Sequence, residues 1–338
     1  MSHGIEQSED GRATFVAVRE HGWHRLGTVV DRDLSVAEAM ELAHLADLDY
    51  TLEPLLAVTG TVEAPKVIPA TGYRAVVRKN PWTREPEVIG AGMTDTFTLH
   101  TPEEALGFGE QIIDMGKPLA ALGSINSGRR AFAAFAGDEI TIGGHDQVRM
   151  FLNVMTAFDG SMATVVRPSA IRVVCANTFS MVMGQSTQPT YRVRHMGAGL
   201  ADRVDDARAA LDIGWKGMEA FQAEAEAMLN REVSDKQFNA IVEALLPFQK
   251  DATPRQIRTV EDNRAQVHSV WNGANIEGIK GTAWGALNAY TEWTDWVGGR
   301  FQNSDTRMVA QITPGSRIDT RRLRAGNIVA KSVGLVPA

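Results

Sequence analysis

The pattern of apolar residues changes near Gly199, and this change constrains the fold more than any other feature of the chain. Earlier segments rich in β-branched residues are separated by turn residues, which is typical of strands; they are 50–59, 72–79 and 86–99. Later segments are alanine-rich with helical periodicity; they are 200–230, 234–246, 254–272 and 282–297. Strands clustered before helices favour an α+β fold over alternating βαβ units. We therefore expect an antiparallel or mixed sheet packed with helices, followed by a mostly helical C-terminal half.

The same reasoning divides the chain into four regions. They are an irregular N-terminal segment (1–35), a sheet-rich α+β region (36–199), a helical region packed on it (200–299) and a basic, loop-like C-terminal tail (300–338). Local signals predict helix starts at Ser35, Thr101, Ser234 and Thr253, because each residue can cap a helix N-terminus. Turns are predicted at Asn126-Ser127-Gly128 and at Asp159-Gly160.

Composition excludes several classes of protein. The 338 residues are 44% hydrophobic and 22% charged, which is typical of a globular chain. The single cysteine excludes an internal disulfide framework and a cysteine-clustered zinc site. The N-terminal residues lack the pattern of a signal peptide, and no apolar run is long enough to cross a bilayer. We therefore expect a cytoplasmic protein that does not enter a membrane.

Charge is unevenly distributed, although the net charge is −7. Residues 160–200 contain four arginines and no carboxylate, and residues 300–338 contain seven basic and two acidic residues. Such segments could bind the phosphates of a nucleic acid. The candidate contacts are Arg129, Arg130, Arg167, Arg172, Arg192 and Arg194, with Arg317, Arg321, Arg322 and Arg324 of the C-terminal tail. The alternative is that these arginines form salt bridges with the acidic N-terminal region or with the helix at 200–230.

The helix at 282–297 is rich in aromatic residues, namely Trp284, Tyr290, Trp293 and Trp296. They could form a stacking platform for unpaired bases, or they could anchor the helix by packing. Polar residues Asn288, Glu292 and Asp295 follow on another stripe. Glu292 and Asp295 could bind a divalent cation or act as an acid/base pair, or they could simply form a solvated face.

Five motifs together resemble the phage/plasmid-like family built on domain of unknown function 932. They are Gly22–Thr28, the strand GYRAVVRK, Ile171–Thr178, Arg192–His195 and Gly281–Ala289, and the resemblance covers roughly residues 20 to 310. The chain departs from the family pattern at Gly22-Trp23-His24-Arg25, where the family usually has Pro-Trp-His-Gly, and at Trp296, where it often has histidine. The resemblance implies a mobile-element setting and assigns no catalytic residue.

The sequence favours a nucleic-acid-binding accessory protein of a phage or plasmid. We expect it to act as a homo-oligomer on single-stranded DNA, in annealing or recombination, without a catalytic residue, cofactor or bound metal. One alternative is an enzyme whose site lies between the sheet and the tryptophan-rich helix and uses Glu292, Asp295, His24 or His195. The other is a structural or host-interaction protein.

Overall fold

The computed structural model describes residues 5–20, 26–172, 178–180, 191–193, 195, 204–299, 301, 306–307, 310–311, 313 and 315–335. The chain forms two compact units. Unit 1 comprises residues 1–136, 152–167 and 191–211, and unit 2 comprises residues 137–151, 168–190 and 212–338. Three long strands contribute residues to both units because the chain passes from one to the other within them.

Most strands belong to one eight-stranded sheet. Its strands are β1 (Phe15–Val18), β2 (Thr28–Val30), β6 (Leu119–Ile125), β7 (Arg130–Ile142), β8 (Asp146–Ala157), β9 (Thr164–Arg172), β10 (Thr178–Ser180) and β11 (Tyr191–Val193). The order is β10-β9-β8-β7-β6-β1-β2, with β11 also paired to β9. The β1–β2 pair is parallel, whereas β1–β6, β6–β7 and the pairs of β9 with β10 and β11 are antiparallel. The predicted mixed sheet is therefore confirmed.

The region 1–35 is less irregular than the sequence predicts, because it contributes both β1 and β2. All four residues of β1 are buried, so the strand lacks the alternation of apolar and polar residues that marks a half-exposed strand. A short apolar run of this kind carries no periodic signal of its own. Pairing with β6, more than a hundred residues later in the chain, defines it as a strand.

A second sheet has three antiparallel strands and lies in unit 1. Its strands are β3 (Thr51–Gly60), β4 (Pro65–Lys79) and β5 (Pro86–Thr94). Arg78 belongs to β4, and its buried guanidinium contacts the carboxylates of Glu6 and Glu87 and the hydroxyl of Tyr50. A side chain on Gly128 would collide with that guanidinium, so the turn at 126–128 depends on glycine at this position.

Both units also contain helices. They are α1 (Val36–Leu42), α2 (Pro102–Gly107), α3 (Gly109–Asp114), α4 (Val204–Leu229), α5 (Asp235–Leu245), α6 (Pro254–Trp271), α7 (Ala283–Glu292) and α8 (Arg317–Ser332). A 3-10 helix spans Glu277–Ile279, and a π-helix, Trp293–Val297, continues α7. In unit 2, α7 packs against α5, α6 and α8. The mostly helical C-terminal half is confirmed.

The four predicted helix caps are confirmed by their hydrogen bonds. Ser35, Thr101, Ser234 and Thr253 each accept a hydrogen bond from the third backbone amide of the helix they precede, and each helix returns a capping-box bond. The predicted turns also form, since β6–β7 and β8–β9 reverse direction around 126–128 and 159–163.

The prediction of a loop-like C-terminal tail is wrong, because the 16-residue helix α8 lies within it. Ser316 caps this helix by accepting from the Asp319 backbone amide. Its buried face carries Ile318, Arg322, Ala325 and Val329, at helical spacing. One arginine stands in this buried stripe, which interrupts the apolar pattern that would have predicted the helix.

Candidate nucleic-acid interface

Two of the predicted arginines of unit 1 lie beside the tight turns of the sheet. Arg129 is exposed, and its Nε donates to the backbone oxygen of Ile89 over 3.1 Å. Arg130 is half-buried, and its guanidinium donates to the Ser161 hydroxyl over 3.3 Å. A guanidinium has five N–H donors, and the contact of Arg129 with Ile89 uses one of them.

Arg167 and Arg192 lie on the same face of the large sheet. Arg192 pairs with Val165, and directly paired residues point to the same side. Arg167 is two residues further along β9 and therefore also points there. Arg192 is exposed, whereas Arg167 is only 7% exposed. The Arg172 side chain and Arg194 lie outside the described residues.

In unit 2, Arg322 forms a buried ion pair with Asp295. The Nη2 and Nε atoms lie 2.7 and 2.9 Å from one carboxylate oxygen, and both side chains are almost completely buried. Arg322 also donates to the backbone oxygen of Gln311. These bonds hold its guanidinium inside the unit, so Arg322 is not placed to contact a phosphate as the sequence predicted.

Three further arginines gather near the end of the π-helix. The guanidinium carbons of Arg307 and Arg317 lie 4.6 and 4.8 Å from the ring centre of Phe301. Arg321 lies 6.0 Å from the ring centre of Trp293. A methyl group on Gly299 would lie 3.5 Å from Arg321 and 3.6 Å from Arg317, which shows that both side chains converge on this glycine. We call Phe301, Arg307, Arg317 and Arg321 the arginine–aromatic cluster.

Backbone carbonyls hold one member of this cluster in place. Arg307 donates to the carbonyl oxygens of Thr294, Asp295 and Val297, at the end of the π-helix. Burial lowers the pKa of Arg307, the charge of Asp295 opposes this shift, and the nearby charge of Arg317 lowers the pKa further. The two guanidinium groups therefore repel each other, and an anion between them would relieve that repulsion.

The exposed side of α8 extends the positive charge. Arg317, Arg321 and Arg324 follow at spacings of four and three residues, so they share one side of the helix. Asp319 is the only carboxylate of this helix; it is buried and accepts a hydrogen bond from the Gly315 amide. Arg324 donates to the backbone oxygen of Ala244 at the end of α5.

The aromatic residues of the tryptophan-rich helix separate into two groups. Trp284, Tyr290 and Trp293 are buried, and the indole groups of Trp284 and Trp293 donate to Asp146 and Gln266. These three residues pack in the interior of unit 2. Trp296 is 40% exposed and lies within the stretch whose carbonyls bind Arg307. Trp296 is therefore the partly exposed member of the group.

The groups of the enzyme alternative have separate partners. Glu292 accepts a hydrogen bond from the Asn275 amide over 3.0 Å, while Asp295 is paired with Arg322. His195, in unit 1, is bonded to the Thr98 backbone oxygen, and His24 lies outside the described residues. In the described part of the chain, no cluster of three or more histidine, cysteine, aspartate or glutamate side chains is arranged to bind a metal ion.

Sequence reasoning identified Arg317, Arg321 and Trp296 as candidates but missed Phe301 and Arg307. A search for helical spacing around the Ser316 cap would have placed Arg317 and Arg321 on one exposed side. Nothing in the sequence pairs Phe301 with Arg307 and Arg317, because that contact depends on the path of the chain between the π-helix and α8.

None of the helices described is both long and apolar enough to cross a bilayer. Neither a curated protein nor a solved structure matches the chain. The sequence model of one family matches residues 92–324, which is more than half of the chain and includes Arg307, Arg317 and Arg321. The chain belongs to the family described as Domain of unknown function (DUF932).

Proposed function

We propose that this protein binds single-stranded nucleic acid through the arginine–aromatic cluster and the adjoining side of α8. Proteins that bind single strands combine cationic side chains, which hold phosphates, with aromatic rings, on which bases stack. The observation that carries the proposal is the gathering of Arg307, Arg317 and Arg321 around Phe301 and Gly299. Guanidinium groups suit this role because they donate two parallel hydrogen bonds to a phosphate.

Trp296 supplies the stacking element of the proposal. Its ring is partly exposed, and the carbonyls of its neighbours Asp295 and Val297 bind Arg307. If a base stacks on Trp296, the phosphate backbone of that nucleotide lies near the arginine–aromatic cluster. Stacking of one base on an aromatic side chain contributes about 1–3 kcal/mol.

The arginines of unit 1 remain further candidates for phosphate contact. Arg129, Arg130 and Arg192 are exposed or half-exposed, and Arg192 shares a sheet face with Arg167. In this proposal the reaction is non-covalent: arginines hold the backbone while bases remain available for pairing. A role in single-strand annealing or recombination, as an accessory protein of a phage or plasmid, would follow from such binding.

Removing two arginines of the cluster tests the proposal. We expect R317A/R321A to bind a fluorescent oligothymidylate at least about tenfold more weakly than the wild type, a loss of about 1.4 kcal/mol. Fluorescence anisotropy at low salt measures this affinity. The matched control is R255A/R258A, which removes two exposed arginines from α6. The two double variants therefore have the same net charge.

The control should retain the wild-type affinity. W296A should also weaken binding about tenfold, because one stacked base is lost. Two results contradict the proposal: absence of wild-type binding at low salt, or equal losses in both double variants, since equal losses would indicate a general effect of charge.

A further inference from the structure

The β3–β4 hairpin continues beyond its sheet as a two-stranded arm. The last pair between β4 and β5 joins Tyr73 to Thr94, whereas β3 and β4 stay paired from Leu56–Pro69 to Gly60–Pro65. An irregularity in the register lies between Pro54 and Leu56 of β3 and separates this outer part from the sheet. We call residues 55–70 the arm.

The arm exposes apolar side chains on both of its faces. Leu56, Val58 and Val67 share one face and are 54%, 71% and 59% exposed. Ile68, on the opposite face, is 51% exposed. An isolated two-stranded hairpin is marginally stable in water, and further strands with an apolar face are needed for stability. We therefore expect the arm to need a binding partner that covers its apolar side chains.

The two edges of the arm differ in how they are protected against pairing. The β4 edge carries Pro65, Lys66 and Pro69, which oppose the addition of a strand. The β3 edge from Leu55 to Thr59 has neither proline nor charge. Among the described residues, no strand other than β4 pairs with β3. An unprotected apolar edge of this kind is a template for another strand.

Charge favours a second copy of the same chain as that strand. The protein carries a net charge of −7, so two copies repel each other over most of their surfaces. The arm contains one acidic and one basic residue, Glu63 and Lys66, and is neutral overall. Two copies can therefore approach each other at the arm without bringing an excess of like charges together.

We propose that β3 of the arm pairs with β3 of a second copy, antiparallel and around a two-fold axis at Ala57. Ala57 is the midpoint of the unprotected stretch Leu55–Thr59. In this register Leu56 faces Val58 of the partner subunit and Leu55 faces Thr59 of the partner subunit. The two arms then form a four-stranded ribbon. In it the backbone groups at the free edge of β3 are hydrogen-bonded, and part of the exposed apolar surface is covered. This proposal stands independently of nucleic-acid binding.

A pair of matched lysine substitutions tests the edge contact. In V58K, two lysines lie close together on one face of the ribbon, on either side of the axis. In V67K, the same change is made on the same face but on β4, away from the axis. By sedimentation velocity over a concentration series, we expect V58K to raise the dimer dissociation constant at least tenfold and V67K to leave it nearly unchanged. A monomeric wild type, or equal effects of the two variants, would overturn the proposal.

Cysteine cross-linking tests the register and keeps the proposal testable if V58K folds poorly. A residue on the two-fold axis lies about 4.5–5.5 Å from its copy between Cα atoms, which is within disulfide reach. In a C175A background, A57C should form a covalent dimer under mild oxidation. T51C, six residues from the axis, would lie roughly 40 Å from its copy and should remain monomeric. Failure of A57C to cross-link, or cross-linking of both variants, would overturn the register.

Discussion

Replacing Arg322 by alanine is expected to destabilise unit 2 by about 3–5 kcal/mol, because it leaves the buried carboxylate of Asp295 without its counter-charge. The pair lies between the π-helix and α8, and Arg322 also binds the Gln311 carbonyl. Urea unfolding followed by tryptophan fluorescence measures this loss, since Trp271, Trp284 and Trp293 are buried in unit 2.

Two variants distinguish loss of the ion pair from loss of side-chain volume. R322M/D295N removes both charges and should be closer to the wild type in stability than R322A, because no buried charge is left unpaired. R324A, on the exposed side of the same helix, should cost less than about 1 kcal/mol, as expected for a surface substitution. Equal losses in R322A and R324A would contradict the assignment of Arg322 to a buried pair.

Acidification between pH 6.5 and about 4 is expected to destabilise unit 1 through His195. The ring is 6% exposed, stacks on Phe97 and lies 4.2 Å from the ring centre of His100. Burial, and secondly the charge of His100, lower the pKa of His195 to about 4. Below pH 6.5 the unfolded chain therefore binds a proton that the folded chain does not, and stability falls as pH decreases to about 4. The full contribution is about 3 kcal/mol, from ~1.4 kcal/mol per pKa unit.

Comparison with H195F isolates this contribution from the titration of carboxylates. Phenylalanine retains an aromatic ring for stacking on Phe97 but cannot be protonated. We expect the free energy of unfolding of the wild type to fall more steeply than that of H195F between pH 6.5 and pH 5. Parallel pH dependences would show that His195 is protonated equally in the folded and unfolded chains.

Features that depend on neighbouring residues could be predicted from the sequence. The caps at Ser35, Thr101, Ser234 and Thr253 require a side chain and an amide three residues later, and all four form. The change from strands to helices near Gly199 is likewise a matter of local periodicity. These signals are sufficient for the fold class.

Features that depend on distant residues could not be predicted in the same way. The Arg78 network joins Glu6, Tyr50 and Glu87, which come from separate segments, and no local pattern relates them. Helix α8 could not be predicted for the same reason. Arg322 can be buried in this helix only because Asp295, from a different segment, neutralises its charge. A polar residue in an otherwise apolar stripe therefore concealed a helix.

The arginines illustrate the same limit within the candidate site. Sequence alone could not separate Arg321, which extends toward Trp293 and Gly299, from its neighbour Arg322, which is buried with Asp295. A turn of about 100° along α8 places the two guanidinium groups on different sides of the helix. Counting charges identified the basic C-terminal segment. Only the three-dimensional contacts showed which of its arginines are buried and which are exposed.

The most direct test of nucleic-acid binding is the salt dependence of affinity for a single strand. The logarithm of the association constant falls against the logarithm of salt concentration by about 0.7 for each phosphate contacted. If Arg307, Arg317 and Arg321 each hold one phosphate, we expect a slope of about −2 for the wild type and about −0.7 for R317A/R321A. An unchanged slope in the variant, or no measurable wild-type binding at any salt concentration, would contradict the account.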